Sequence, residues 1–355
     1  MIQQNMQANK NYYAVIMAGG VGSRFWPVST PENPKQFHDM LGTGNSLIQQ
    51  TFSRLEKLIP KENILVSTNE RYRDLVQAQL PQITDKQLVL EPAMRNTAPA
   101  ILYASLKIYQ QNPQAQILIA PSDHWIDKED VFIEKLQVAF KNSSENDILM
   151  TLGIQPSYPN TGYGYIQFEA TEKSIKTVKQ FTEKPNRETA QVFLERGDYL
   201  WNAGIFVWSA TSILKAFQTY LPEMYTLFSK GNQVWNTTLE DDFIKAAYPQ
   251  SERISIDYGI LEKAINVKVL PVDIGWNDLG TWGALYQKLE KDSQNNAIVN
   301  AEAFFADSQG NMIRTEKGKK VVVKGLNNFI VVENDGVLVI LPRDDEQAIK
   351  TLSKL

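Results

Sequence analysis

Directly after an apolar run, Tyr12 to Ala18, the chain reads Gly19-Gly20-Val21-Gly22-Ser23-Arg24-Phe25-Trp26-Pro27, with Pro34-Lys35 following. Closely spaced glycines let a backbone turn its amides toward an oxyanion, and Arg24 and Lys35 carry the positive charge that a polyphosphate requires. The loop is not a Walker A sequence, because no Gly-Lys-Ser/Thr closes it. Nor is it a dinucleotide fingerprint, because Phe25 stands where the third glycine belongs. The plainer alternative is a strand-to-helix glycine turn with two solvated cations. Asp123, in Pro121-Ser122-Asp123-His124, follows the apolar run Ile117 to Ala120. There, at the carboxyl edge of a parallel sheet, a hard divalent cation can be shared between a carboxylate and substrate phosphates. Asp278, in Trp276-Asn277-Asp278-Leu279-Gly280, is the natural second carboxylate. Ordinary turn or cap aspartates would look the same. Glu183-Lys184 stands before Pro185, which stops a β run and leaves two charged side chains at its mouth; a solvated surface pair is the alternative.

These residues need elements to hold them. Apolar runs Tyr12 to Ala18, Ile64 to Ser67, Leu88 to Leu90, Ile117 to Ala120 and Ile148 to Leu152 alternate with amphipathic stretches Leu47 to Leu58, Arg71 to Leu80, Ala98 to Gln110 and Val131 to Phe140. Strands alternating with helices of that length predict βαβ units in a doubly wound, Rossmann-like α/β sheet, with ligands beyond the strand carboxyl ends. Past Gly153 the strands shorten (Gly164 to Phe168, Ile175 to Phe181, Gly204 to Trp208), which predicts an insertion forming the far wall of a cleft. From about Gln294, β runs between turn clusters predict a small β-rich domain closed by a helix from Asp344. The expected organisation is a flexible tail 1–11, a main domain 12–290 with halves 12–152 and 153–290, and a β-rich domain 291–355.

Composition sets the outer limits. In 355 residues, 43% are hydrophobic and 21% charged, enough to bury a large core. The net charge of −4 supplies no global field for nucleic acid or anionic membrane. No cysteine is present, which removes disulfides, thiolate zinc and cysteine nucleophiles and fits a reducing cytosol. With two histidines, His38 and His124, a histidine base or cage is nearly excluded. His124 reads as a neighbour of a metal ligand and His38 as a surface residue. The Gln/Asn-rich start is neither signal nor transit peptide, and no apolar run approaches the roughly 18 residues a bilayer crossing needs. A cytoplasmic protein is expected.

The glycine loop with its Pro-Lys resembles the signature of the sugar-nucleotide pyrophosphorylases, a nucleotidyltransferase family. Further matching segments are Glu91-Pro92-Ala93-Met94-Arg95-Asn96-Thr97-Ala98-Pro99-Ala100, Gly162-Tyr163-Gly164-Tyr165-Ile166, Phe181-Thr182-Glu183-Lys184-Pro185, Asn202-Ala203-Gly204-Ile205-Phe206, Ser255-Ile256-Asp257-Tyr258-Gly259 and Gly275 to Trp282. The Arg-Asn-Thr-Ala-Pro and Gly-Trp segments favour the mannose 1-phosphate/GTP branch. The resemblance implies a nucleotide-diphospho-sugar transferase fold with a β-helix-like C-terminal domain, and transfer of GMP from GTP to mannose 1-phosphate to give GDP-mannose and pyrophosphate. It implies Mg²⁺ on Asp123 and Asp278, with Arg24, Lys35 and Lys184 as catalytic cations. Ala18, Gly19, Gly20, Gly22, Ser23, Arg95, Asn96, Thr97 and Ser122 would bind the nucleotide. Gly164, Glu183, Lys184, Asn202 and Asp257 would bind the sugar phosphate. A homodimer is a further implication, with the β-rich appendage as its candidate surface. The length leaves no room for the isomerase domain fused to some relatives, so a monofunctional enzyme is expected. Two alternatives stay open: another hexose phosphate/NTP pair, or a non-catalytic regulatory binder of sugar nucleotides.

Overall fold

The computed structural model describes residues 9–354. Most of the tail expected over 1–11 therefore lies outside the described residues. Asn9 and Asn11 are tied down: the Asn9 carbonyl accepts from the Tyr12 N–H at 3.0 Å and the Asn11 carbonyl from the Gln116 N–H at 2.7 Å.

Packing divides the chain into two compact units that do not follow chain order. Among the described residues, the first comprises 9–19, 52–121 and 126–276; the second comprises 20–51, 122–125 and 277–354.

In the first unit, nine strands among the described residues share a sheet: β1 (Tyr12–Met17), β2 (Ile64–Asn69), β3 (Leu88–Glu91), β4 (Gln116–Pro121), β5 (Leu149–Ile154), β6 (Tyr165–Phe168), β7 (Lys176–Thr182), β8 (Tyr199–Ser209) and β9 (Val267–Val272). Their order is β3-β2-β1-β4-β8-β5-β9-β7-β6. β3, β2, β1 and β4 run parallel, as their unbroken apolar runs require, whereas β8 runs antiparallel to both β4 and β5 and makes the sheet mixed. The helix Thr97–Gln111 is buried without a break from Ala98 to Ile108. Its apolar side chains share one core with Val15, Ile119, Trp208 and Phe217. Thr97 is the first helical residue, and Asn96, at φ 68°, caps it by accepting the Thr97 N–H at 2.9 Å. Asn tolerates left-handed backbone better than threonine does.

In the second unit the strands β10 (Ala297–Val299), β11 (Glu302–Ala306), β12 (Met312–Arg314), β13 (Lys320–Lys324), β14 (Phe329–Asn334) and β15 (Val337–Pro342) alternate between two sheets. β10, β12 and β14 stack in parallel, as do β11 and β13, and β15 closes antiparallel on β14. This is the β-helix-like arrangement expected of the C-terminal region. Inside it, Asn311 Nδ2 donates to Asn296 Oδ1 at 3.0 Å and to the Leu326 carbonyl at 2.7 Å, satisfying buried polar groups from coil to coil. Instead of one closing helix after Asp344, a 3₁₀ segment Arg343–Ala348 precedes a short helix Ile349–Leu352. The glycine-loop residues Phe25 and Val28 lie in the same hydrophobic core as Leu279, Trp282, Met312, Ile330 and Ile349.

Candidate active site

In the second unit the glycine loop folds onto Lys35. Gly22 sits at φ 70°, and a Cβ there would come within 2.6 Å of the Lys35 Cβ, so only glycine fits. Val21 closes the loop, its carbonyl accepting from Ser29 Oγ at 2.5 Å and from the Lys35 N–H at 3.4 Å. Lys35 is 3% exposed; its Nζ donates to Asp123 Oδ2 at 3.0 Å and to the Asp278 carbonyl at 2.9 Å. Backbone hydrogen bonds of 2.8 and 3.0 Å between Trp125 and Asn277 join the two aspartate segments. Asp278 Oδ1 accepts the Gly280 N–H at 3.0 Å, and Arg24 Nη1 donates to the Gly280 carbonyl at 3.4 Å. Burial works against charge on Asp123, but the Lys35 ammonium and the His124 imidazole outweigh it and hold the carboxyl below its usual range.

Gly22, Ser23, Arg24, Lys35, Asp123 and Asp278 thus line one cavity of about 330 Å³. Phe25, His124, Gly280 and Lys350 complete its wall. Among the described residues no three His, Asp or Glu side chains gather as a ready-made metal cage. Two carboxylates facing a cavity fit a small hard dication, which keeps water and takes its remaining oxygens from substrate phosphates. His38 differs from the surface residue expected: it is half-buried, its Nε2 lies 2.9 Å from the Asn33 carbonyl, and burial lowers its pKa.

In the first unit Gly164, Glu183, Lys184, Asn202 and Asp257 come together, although 93 residues separate the first from the last. β6 pairs with both β7 and β8, bringing the chain just before Tyr165 beside the end of β7 and beside Asn202. The Asn202 N–H donates to the Gly164 carbonyl at 2.8 Å. A Cβ on Gly164 would lie 2.5 Å from Glu183 Oε2. Three hydrogen bonds orient the Asn202 amide: Nδ2 donates to Asp257 Oδ1 at 3.0 Å, and Oδ1 accepts from the Gly204 N–H at 3.1 Å and from Thr151 Oγ1 at 3.2 Å. Thr151 is therefore an orienting residue that the sequence did not mark. Lys184 takes φ 48°, donates its N–H to the Tyr163 carbonyl at 3.2 Å, and pairs through Nζ with Glu183 Oε1 at 2.5 Å. Its side chain is 60% exposed and that of Glu183 only 11%, so the carboxylate is fixed and the ammonium reaches outward. Burial first, and the Glu183 charge second, push the Asp257 carboxyl up to about 6.

A third group, also in the first unit, holds Ala18, Gly19 and Arg95 to Thr97. The Ala18 carbonyl accepts from Thr68 Oγ1 at 2.8 Å, and a Cβ on Gly19 would lie 3.7 Å from Glu91 Oε1. Glu91 is buried, receives hydrogen bonds from Ser67 Oγ at 3.1 Å and Tyr248 Oη at 2.6 Å, and is pushed up in pKa by that burial. Arg95 donates to the Pro249 carbonyl, and Thr97 Oγ1 accepts the Ile256 N–H at 2.9 Å. Arg95 and Thr97 thus brace the segment that leads into the helical turn beginning at Asp257. Ala18, Gly19, Gly20, Arg95, Asn96, Thr97 and Ser122 are not among the residues lining the 330 Å³ cavity. Ser122 is buried, and its carbonyl accepts from Thr51 Oγ1 at 3.2 Å.

Comparison with known proteins adds three findings. The nucleotidyl transferase family model matches residues 13–295. The chain is 34% identical over 360 residues to mannose-1-phosphate guanylyltransferase 2 of Escherichia coli O157:H7, covering 96% of this chain and 73% of that protein. It is 35% identical over 346 residues to the xanthan biosynthesis protein XanB of Xanthomonas campestris pv. campestris (strain B100), covering 95% of this chain and 71% of that one. Among solved structures it is similar to a Thermus thermophilus protein described as a mannose-1-phosphate geranyltransferase, with a TM-score of 0.88, 27% identity, and coverage of 97% and 98%.

Proposed function

The chain belongs to the nucleotidyl transferase family, and from that premise we propose that it transfers GMP from GTP to α-D-mannose 1-phosphate, yielding GDP-mannose and pyrophosphate. One observation carries the reading beyond the relatives' names: Arg24, Lys35, Asp123 and Asp278 converge with the glycine loop on a single cavity. That wall is polar and cationic, suited to a polyphosphate and not to an apolar geranyl chain.

The reaction is an in-line displacement. An oxygen of the sugar phosphate forms a bond to the α-phosphorus of GTP as the bond from that phosphorus to the bridging oxygen breaks, and the electron pair leaves with pyrophosphate. No general base is needed. The second pKa of a phosphate monoester is about 6, so the nucleophile arrives deprotonated. What opposes the reaction is repulsion between two anions, and fixed cations answer it. Arg24, Lys35 and the loop amides hold the triphosphate and stabilise the departing pyrophosphate. Lys184 neutralises the incoming sugar phosphate while Glu183, Asn202 and Asp257 take sugar hydroxyls. Asp123 and Asp278 would hold Mg²⁺, which when bound supplies charge neutralisation at the phosphates. The Ala18–Gly20 turn, Ser122 and Arg95–Thr97 are assigned to the nucleoside end of GTP.

On this reading residues 12–290 carry the transferase and 291–355 a β-rich domain. A cytoplasmic site of action follows from the need for GTP. No helix among the described residues is long and apolar enough to cross a membrane. The exposed apolar side chains Val337, Leu338 and Ile340 on β15 support a homodimer, which light scattering tests. Pyrophosphate release, measured across GTP, ATP, UTP and dTTP with mannose and glucose 1-phosphates, tests the function. Turnover is expected to be greatest with GTP and mannose 1-phosphate; equal turnover with UTP and glucose 1-phosphate would refute the assignment.

A further inference from the structure

Ten residues line the cavity that holds the glycine loop, and one of them comes from the far end of the chain. Lys350 belongs to the short helix Ile349–Leu352, 315 residues after Lys35. Two contacts fix its backbone there. Ile349, its immediate neighbour, is fully buried in the core that contains Phe25 and Trp282. Glu346, one helical turn earlier, accepts the Gly283 N–H at 2.6 Å and so anchors the segment to the start of the helix Trp282–Lys288. The cavity's two other cations are already in contact with protein: Lys35 with Asp123 and the Asp278 carbonyl, Arg24 with the Gly280 carbonyl. The Lys350 side chain is exposed, and its ammonium has no hydrogen-bond or ion-pair partner among the described residues. Two carboxylates, Asp123 and Asp278, share this cavity and balance Arg24 and Lys35, so without Lys350 a tetra-anionic ligand meets no local excess of positive charge.

We infer that Lys350 is a polyphosphate-binding residue, a third cation that the C-terminal segment contributes to the triphosphate of the nucleotide and to the pyrophosphate that leaves. The inference rests on the nucleotidyl transfer reading of the same cavity. A long flexible ammonium suits this task, since it can follow a phosphate chain whose charge shifts from triphosphate to pyrophosphate.

Calorimetric titration of inorganic pyrophosphate and of GTP into the whole protein tests it, using wild type, Lys350→Gln, Lys350→Arg and, as an exposed control, Lys354→Gln. Losing one charge-assisted contact should weaken pyrophosphate and GTP binding about tenfold in Lys350→Gln. Lys350→Arg should keep most of the affinity, and Lys354→Gln all of it. The KM for mannose 1-phosphate should not change in Lys350→Gln, a split that general misfolding would not give. Wild-type affinity in Lys350→Gln at low salt would overturn the inference and leave the function standing. Failure of wild type to bind either ligand would overturn both.

Discussion

Lys35 serves two partners at once, the Asp123 carboxylate and the Asp278 carbonyl, from an almost fully buried position. On the proposed function, removing either carboxylate takes away a hard ligand, and removing that of Asp123 also leaves Lys35 without its counter-charge. Asp123→Ala and Asp278→Ala are each expected to abolish Mg²⁺-dependent GDP-mannose synthesis, and near-wild-type turnover in either would remove it from the metal site. Lys184 reaches outward from a fixed Glu183, so Lys184→Ala should raise the KM for mannose 1-phosphate far more than that for GTP. An equal effect on both would move it elsewhere. Asp257 offers a pH test. Its carboxyl is raised to about 6, against about 3.9 in an unfolded chain. Between those values the folded protein holds a proton that the unfolded chain has released, so this group's contribution to stability falls as pH rises through that window and is level above it. Asp257→Asn should therefore gain stability relative to wild type between pH 4.5 and pH 7, read from urea midpoints. A constant difference would show that Asp257 does not titrate there.

Gly164 shows what a strand start does for a site. It lies just before β6, where β7 and β8 close in from both sides, and its missing side chain is the space that Glu183 occupies. Gly164→Ala should displace Glu183 and raise the KM for mannose 1-phosphate about tenfold or more, with little change for GTP; steady-state kinetics decide it. Elements of this kind were readable where one residue run encodes them. The apolar runs of β1, β2, β4 and β5, the glycine loop and the alternating β-rich tail all appear in the sequence because burial on both faces, or a positive φ, leaves a local mark. The start of β8 at Tyr199 was not readable, since Asn202 and Gly204 interrupt its pattern in order to serve the site. The support from Thr151 and the arrival of Lys350 are pairings across long stretches of chain, and no spacing announces them.

At the scale of the whole molecule, each unit has its own core, and the glycine loop is packed in the same core as the β-helix-like coils. Ile330 is fully buried on β14. Ile330→Ala should cost about 2–5 kcal/mol of stability, seen by denaturant titration. It should also raise the KM for GTP, because Phe25 and Val28 lose support in the same cluster. Wild-type GTP kinetics in a clearly destabilised variant would show that loop and coils are independent. The same interleaving has a consequence for synthesis. The loop leaves the ribosome early, but Leu279, Trp282, Met312 and Ile330 follow roughly 250 residues or more later, a wait of about 10 to 50 s at ordinary elongation rates. The nascent chain can complete its sheet before it owns the glycine-loop cavity, so on the proposed function a truncated or stalled product should be unable to sequester GTP. Nucleotide capture is thereby reserved for chains that have been translated past the β-rich coils.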